Sequence, residues 1–446
     1  MKKQWKKRLA MLLACATLCT AFTACSSKKA DTDAAQDGKA EQVEAKDTST
    51  EGKEKVVLWH LWAGVEAGYI DDAVEAYNAQ SDKYYVEALS VPDAQKIMVA
   101  IQSGNGPDVV SNFSSNVGSF AAKGIMLPLD EYVEKNQTDL SDYIPVTLES
   151  CKFENKLYAL PCGLNLMGLF YNKTLLAEAG YTEPPKTMEE LYEMAVATTK
   201  VNEDGTIDVL GYPDFPSVYY MDYFAAALGG GWYDENGLPM SPDNKGNLMA
   251  LQYAVDYRQK FGVENVSRFS SSGKYLDPTD PFLAGKQTFR VDGNWMGQNI
   301  HEVSKVDLDY GCTFIPYPAG HEEMQGRNLA TSSIFFIPAN TKVPDGAYDF
   351  LTYITSAEGT MIHSVSHNGF PTHISNLKAK EFTEGYDAEA FAAIADSPNL
   401  FAPASPEQAV DYGTIIGEQV ELAMNLKQTP EQALENIYNM GMELFQ

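Results

Sequence analysis

The sequence predicts an α/β protein of two lobes, each a doubly wound sheet flanked by helices. Strand-like and helix-like patterns alternate over about fifty residues near the start of the globular part. That part, from about residue 54 to Gln446, is also too long for one typical hydrophobic core.

The first strand is read from Val56-Val57-Leu58-Trp59-His60-Leu61-Trp62, an uninterrupted apolar and aromatic run suited to a strand covered on both faces. From Ile70, the apolar positions Ile70, Ala73, Val74 and Tyr77 fall at helical spacing and predict one buried stripe. Tyr84 to Val91 reads as a second strand, and a helix from Asp93 follows, with Ile97, Ala100 and Ile101 inward and Gly104 as its cap. Pro107-Asp108-Val109-Val110 is a short third strand. This order predicts right-handed parallel crossovers, and ligands of such sheets sit just beyond the carboxyl ends of strands. His60 to Gly64 and Ser111 to Asn116 are thereby placed at a cleft edge. Farther on, Thr187-Met188-Glu189-Glu190 and Thr429-Pro430-Glu431-Gln432 are capping-box sequences that open amphipathic helices.

Ahead of the globular part lies a leader with a basic start (Lys2, Lys3, Lys6, Lys7, Arg8), an apolar run from Leu9 to Phe22, and small residues before Cys25. This is the layout of a secretory signal, too short to span a bilayer. Its Phe22-Thr23-Ala24-Cys25 ending resembles the lipobox of bacterial lipoproteins, with Phe22 where Leu is usual. The resemblance implies cleavage after residue 24, acylation of Cys25 by chains such as palmitate, and retention on the outer face of the cell membrane. Residues 26 to 53 contain no aromatic residue and one large aliphatic, Val43, so they cannot bury enough surface to offset ordering entropy and read as a flexible tether.

The formal charge is −28, and loss of the five leader cations brings it to −33. So acidic a chain argues against nucleic acid and anionic membrane as ligands. Of six cysteines, Cys15, Cys19 and Cys25 belong to the leader region; Cys151, Cys162 and Cys312 are too scattered for a disulfide framework or a metal cluster. No hydrolase elbow, zinc-protease motif, phosphate loop or dinucleotide fingerprint occurs. Asn202-Glu203-Asp204-Gly205 and Asp234-Glu235-Asn236-Gly237 lack the glutamate that would continue a calcium loop and read as turns. No cofactor and no metal are expected.

Residues 155 to 191, NKLYALPCGLNLMGLFYNKTLLAEAGYTEPPKTMEEL, carry in order a Tyr-x-x-Pro strand, Tyr-Asn-Lys, Ala-Gly, Pro-Pro-x-Thr and a Glu-Leu helix. In this they resemble the family 1 extracellular solute-binding proteins, the receptors of bacterial ATP-driven sugar importers. Ser103-Gly104-Asn105-Gly106-Pro107-Asp108-Val109, Phe282 to Lys286, Gly293-Asn294-Trp295, Ile337-Pro338-Ala339 with Phe350-Leu351, and Gly369-Phe370-Pro371 extend the resemblance along the chain. It implies a periplasmic-binding-protein-like fold, with a hinge between residues 54–163 and 317–373 as one lobe and residues 164–316 and 374–446 as the other. A monomer closing on a carbohydrate and docking on the transmembrane permease subunits of an ABC importer is the implied partner set, with no enzymatic activity.

A sugar has flat C–H faces and a rim of hydroxyls, so its site needs aromatic platforms and hydrogen-bonding side chains. Trp295 falls on the family's stacking tryptophan, and Asn165, six before Tyr171, where relatives pair with hydroxyls; as an amide it both donates and accepts. Asn112, Ser115 and Asn116 follow the Pro-Asp-Val strand, where relatives carry aromatic and charged contacts. His60 and Trp62 flank the end of the first strand, and Tyr219 and Tyr220 correspond to an aromatic wall of the second lobe. Asp292, Arg327, Asn328, Phe370 and Tyr412 complete the candidates. Alternatives are the same fold holding a non-sugar solute, such as a glycerol phosphodiester or a peptide-like molecule, or a secreted glycoside hydrolase, which needs two carboxyl groups flanking the bond.

Overall fold

The computed structural model describes residues 52–214, 221–234 and 236–446. The leader, Cys25, most of the proposed tether, Tyr219 and Tyr220 lie outside them.

Strand β1 (Glu54–His60) buries Val56, Leu58 and His60 fully and Val57 and Trp59 partly, so both faces are covered. It ends two residues before the apolar run does. The Leu61 amide turns to Ser111 Oγ at 2.8 Å, and the Trp62 carbonyl accepts from Ser90 Oγ at 2.6 Å, which takes both residues off the ladder. Helix α1 (Val65–Gln80) starts ahead of the expected stripe, directly after Gly64 at φ 59°, and buries Ile70, Ala73, Val74 and Tyr77. Strand β2 (Tyr84–Ser90) and strand β3 (Val109–Phe113) both run parallel to β1, joined by helix α2 (Ala94–Gln102). Asp93 caps α2 by accepting from the Lys96 amide at 3.0 Å, and Gly104 closes it at φ 76°, a conformation costly for any other residue.

Strands β4 (Ala159–Asn165) and β5 (Met167–Asn172) are separated by one residue. Farther along come β6 (Phe289–Gly293), helix α3 (Trp295–Glu302), β7 (Tyr310–Thr313) and β8 (Thr331–Phe336). The first sheet has the order β2-β1-β3-β8-β4, with β8 antiparallel to both neighbours. The second is three-stranded, β6-β5-β7, and antiparallel. The fold is α/β as expected, but of these two sheets only the first contains parallel strands. Because β5 follows β4 almost without a break, it enters the second sheet as a central strand, and β6 and β7 pair with it from either side in the opposite sense.

Each sheet has its own core. Val56, Leu58, Val110, Phe335, Phe336 and Phe350 belong to the first, and Leu169, Leu210, Leu251, Tyr257, Val291 and Tyr412 to the second. A smaller cluster, including Leu166, Phe170, Phe282 and Phe370, forms a third. Each such fully buried side chain contributes about 1.5–3 kcal/mol, so the division into separate cores is energetic as well as visual.

Both capping boxes form: Thr187 Oγ1 accepts from the Glu190 amide at 3.3 Å while Glu190 Oε2 accepts from the Thr187 amide at 3.2 Å, and Thr429 and Gln432 make the same exchange. Asp204 and Asp234 each fold a tight turn by accepting backbone amides. Cys151, Cys162 and Cys312 are free thiols, the first two buried and the third half-buried. Among the described residues no helix is long and apolar enough to cross a membrane, and no cluster of His, Cys, Asp and Glu could hold a metal ion.

Candidate functional site

One end of the first sheet collects small polar side chains. The carboxyl ends of β1, β3 and β4 and the start of β8 lie side by side there, since Ser333 is registered against Phe113 and Gly163, and Thr331 against Asn165. Asn165 Nδ2 donates to Ser333 Oγ at 3.3 Å. Asn112 Oδ1 accepts from the Phe113 amide at 2.8 Å and from Asn116 Nδ2 at 2.7 Å, which ties two candidates to one another. The Ser115 carbonyl accepts from Ser405 Oγ at 2.8 Å. His60 is buried, and desolvation pushes its pKa down to about 4 against the opposing hydrogen bond with the Trp62 backbone, so it is a neutral imidazole at pH 7. The Trp62 ring lies 6.1 Å from His60 and 5.5 Å from Phe335, half-buried against the first core.

The second sheet faces this rim with β6 and the start of α3. Asn165 precedes Met167 by two residues, and Met167 is registered against Gly293 at the end of β6, so the two rims meet at the β4–β5 crossing. Trp295 opens α3 and remains half-exposed. Its ring lies over Gly293, where a Cβ would come within 2.2 Å of indole carbons; only glycine lets the ring lie there. The indole Nε1–H donates to Tyr275 Oη at 2.8 Å, and Tyr275 Oη–H donates to Asp292 Oδ1 at 2.9 Å. Asp292 is fully buried, with its Oδ2 3.6 Å from Arg290 Nη1, and Arg290, also fully buried, bonds Asp280. Desolvation pushes the Asp292 pKa up to about 7 although Arg290 opposes the shift.

Contacts join α1 to α3. Tyr69 Oη donates to Glu302 Oε2 at 3.1 Å and accepts from Gln298 Nε2 at 3.0 Å, while its ring stacks on His367 with centroids 3.4 Å apart. Asn294 and Asn368 each donate a side-chain amide to the other's carbonyl. On the first turn of α1 sits Glu66, whose pKa is pushed up to about 7 by desolvation and then by the negative charge of Asp292. The charge of Asp292 on β6 thus opposes ionisation of Glu66 on α1, although Glu66 itself is only half-buried.

A carboxyl raised from about 4.5 to about 7 on folding costs nothing while it is protonated in both states at low pH, and stability falls as pH rises from about 4.5 through 7, where the whole penalty is present. Glu66→Gln, which cannot ionise, is therefore expected to melt at the same temperature as the parent at pH 4 and several degrees higher at pH 8. Thermal melts of both chains at the two pH values check this; equal melting at pH 8 would mean that Glu66 is well solvated.

The other candidates divide. Tyr412 is fully buried in the second core, with Oη donating to the Trp232 carbonyl at 3.3 Å, and Phe370 sits in the third core. Asn328 is buried and donates from Nδ2 to the Met167 carbonyl at 2.6 Å, bracing the crossing itself. Arg327 donates to the Ala226 carbonyl at 2.8 Å and covers the Phe401 ring at 4.5 Å, so its charge is already engaged. Tyr219 and Tyr220 lie outside the described residues. Two participants escape sequence reasoning. Glu66 had a readable signal, an acidic residue on a helix opening just past the first strand, whereas Tyr275 sits in an irregular loop with none. A surface groove of about 660 Å³ beside Glu264, Glu418, Glu421 and Leu422 includes none of the candidates.

The model of the family described as bacterial extracellular solute-binding protein matches residues 48–361, about seven-tenths of the chain. The chain belongs to that family. Among relatives of this solute-binding protein, the maltotriose-binding protein of Pyrococcus abyssi is 24% identical over 391 residues, covering 87% of this chain and 81% of the relative. The galactooligosaccharide-binding protein of Bacillus subtilis is 25% identical over 327 residues, covering 70% and 68%. Among solved structures, that of CpMnBP1 with mannobiose bound superposes with a TM-score of 0.80 at 25% identity, covering 87% of this chain and all of the other. The fold is accordingly the two-lobe fold of such proteins, and the crossing at Asn165–Met167 runs from the first sheet to the second.

Proposed function

We propose that the chain is a lipid-anchored extracellular receptor that captures a mono- or oligosaccharide between its lobes and hands it to the permease of an ABC importer. The observation that carries the reading is the half-exposed indole of Trp295 over Gly293, set beside a rim of the uncharged Asn165, Ser333, Asn112 and Asn116. An indole face offers apolar area to the C–H face of a pyranose, and amides and hydroxyls pair with hydroxyls in either sense. The Glu66 carboxyl can exchange hydrogen bonds with hydroxyls, and a space that already resists the ionisation of Glu66 and Asp292 disfavours a phosphate ester. Binding here is its own mechanism: contacts to both rims stabilise the closed arrangement, and the permease reads closure. We assign the lobes to residues 54–163 with 317–373 and 164–316 with 374–446, a division supported by the buried members of the first two cores with the exception of Leu329, which packs in the second.

Titration calorimetry against glucose, mannobiose, mannotriose, maltotriose and a galactooligosaccharide tests the reading. Saturable binding of at least one, with the sugar recovered unchanged, is expected; saturation by a glycerol phosphodiester or peptide without any sugar response would reject the ligand class, and a cleaved sugar would make the protein a hydrolase.

The proposed anchor is Cys25, and the composition of residues 26 to 53 gives a coil with a typical reach of about 30 Å. Such a tether keeps a monomeric receptor near its permease at effective concentrations on the order of millimolar. Cys25→Ala is expected to move the protein from the membrane fraction to the medium with sugar affinity unchanged, as followed by fractionation and calorimetry. Retention of the variant in the membrane fraction would contradict the anchor.

A further inference from the structure

We propose that Tyr275 is a positioning residue for the binding platform: its hydroxyl holds the indole of Trp295 in the orientation that receives the ligand. The inference rests on the sugar-binding reading and adds to it the residue that fixes the platform's plane.

An indole at the mouth of a cleft, buried on one face only, is free to turn about two side-chain torsions, and each idle orientation lowers affinity because the competent one must be repopulated on binding. Two devices restrict it here. Gly293 lets the ring lie flat on the β6 backbone, and Tyr275 Oη takes the Nε1 proton at 2.8 Å. The hydroxyl has a fixed direction because its own proton goes to Asp292 Oδ1 at 2.9 Å, a carboxyl with no exposure on β6, the strand over which the ring lies.

The loop bearing Tyr275 is itself braced. Asp280, fully buried, accepts from the Leu276 amide at 3.3 Å with Oδ2 and from the Phe282 amide at 2.9 Å with Oδ1, while Arg290 bonds it from β6. Leu276 stands at φ 52°, a left-handed conformation that a leucine rarely adopts and that the Asp280 contact holds. Arg290 and Asp292, two apart on one strand, thus fix the backbone beside Tyr275 and its hydroxyl respectively. A tyrosine that is 38% exposed needs no such frame for packing alone. The frame makes sense if the hydroxyl must stand at one point.

The test is Tyr275→Phe in the intact chain, labelled with ¹⁵N at its tryptophan indoles. The Trp295 indole resonance, assigned by its absence from Trp295→Phe, is expected to move toward the position of a water-bonded indole and to exchange faster with solvent, with a small fall in melting temperature from the lost bond to Asp292. Affinity for mannotriose is expected to fall roughly three- to tenfold, the share of one hydrogen bond. In a Trp295→Phe background the same substitution should change affinity little, since there is no N–H left to hold. An unmoved indole resonance overturns the proposal, as does an unaltered mannotriose affinity in a parent that binds it. If the parent binds no sugar, the function reading fails and the resonance alone decides the positioning role.

Discussion

Trp295→Ala lowers sugar affinity by roughly 10- to 150-fold, the largest functional effect expected of any single substitution at the site. The magnitude follows from covering one aromatic side chain, about 1.5–3 kcal/mol, at about 1.4 kcal/mol per decade. The loss falls on the ligand more than on the fold, because the ring is half-exposed and the backbone beneath it is already fixed by pairing of Gly293 with Met167. Trp295→Phe is expected to keep part of the affinity, having a smaller face and no N–H. Calorimetry with the tightest sugar of the panel measures both; an alanine variant within twofold of the parent would place the platform elsewhere.

Arg290→Met produces the largest loss of stability at the site. Arg290 lies between Asp280 and Asp292, and all three are fully buried. Removing one member of such a set leaves carboxyl charge in a medium that solvates it poorly, at a cost of about 3–5 kcal/mol. For a domain of this size that corresponds to a fall in melting temperature of roughly 10 °C. Replacing Asp280 by Leu in the same chain should recover part of the loss, because an apolar pair removes the stranded charge. Thermal melts followed by circular dichroism give the answer. A fall of under 2 °C would show that the carboxyl groups shed their charge or find water when the guanidinium is gone.

These two results bear on different parts of what could be read from sequence. The first half of the leading sheet was legible because its signals are local: apolar runs at β1 and β3, the stripe of Ile70, Ala73, Val74 and Tyr77, and the Asp93 cap. Both capping boxes are equally local. Strand β8 was not legible as the partner of β3 and β4, since its pairing joins segments more than 150 residues apart and leaves no periodic trace in either. For the same reason the antiparallel second sheet was not foreseen.

The site follows the same division. Trp295 and Asn165 were found because they stand at fixed offsets from family motifs. Tyr412 was offered as a candidate, but its helix buries Tyr412, Ile416, Val420 and Ala423 as one stripe, a pattern that the sequence itself contains. Glu66 owes its raised pKa to burial first and then to Asp292, more than 200 residues away in sequence, and spacing encodes neither. Tyr275 gains its role from a loop held by Asp280 and Arg290, contacts that residue spacing does not encode.

In the proposed mode of binding, the rim of the first sheet and the indole of Trp295 together enclose a sugar. A crystal structure of the chain grown with the tightest sugar of the panel tests it most directly. A pyranose ring stacked on Trp295 is expected, with hydroxyls on Asn165 and on the Glu66 carboxyl. A sugar bound outside the space between these rims, with Trp295 untouched, would contradict it.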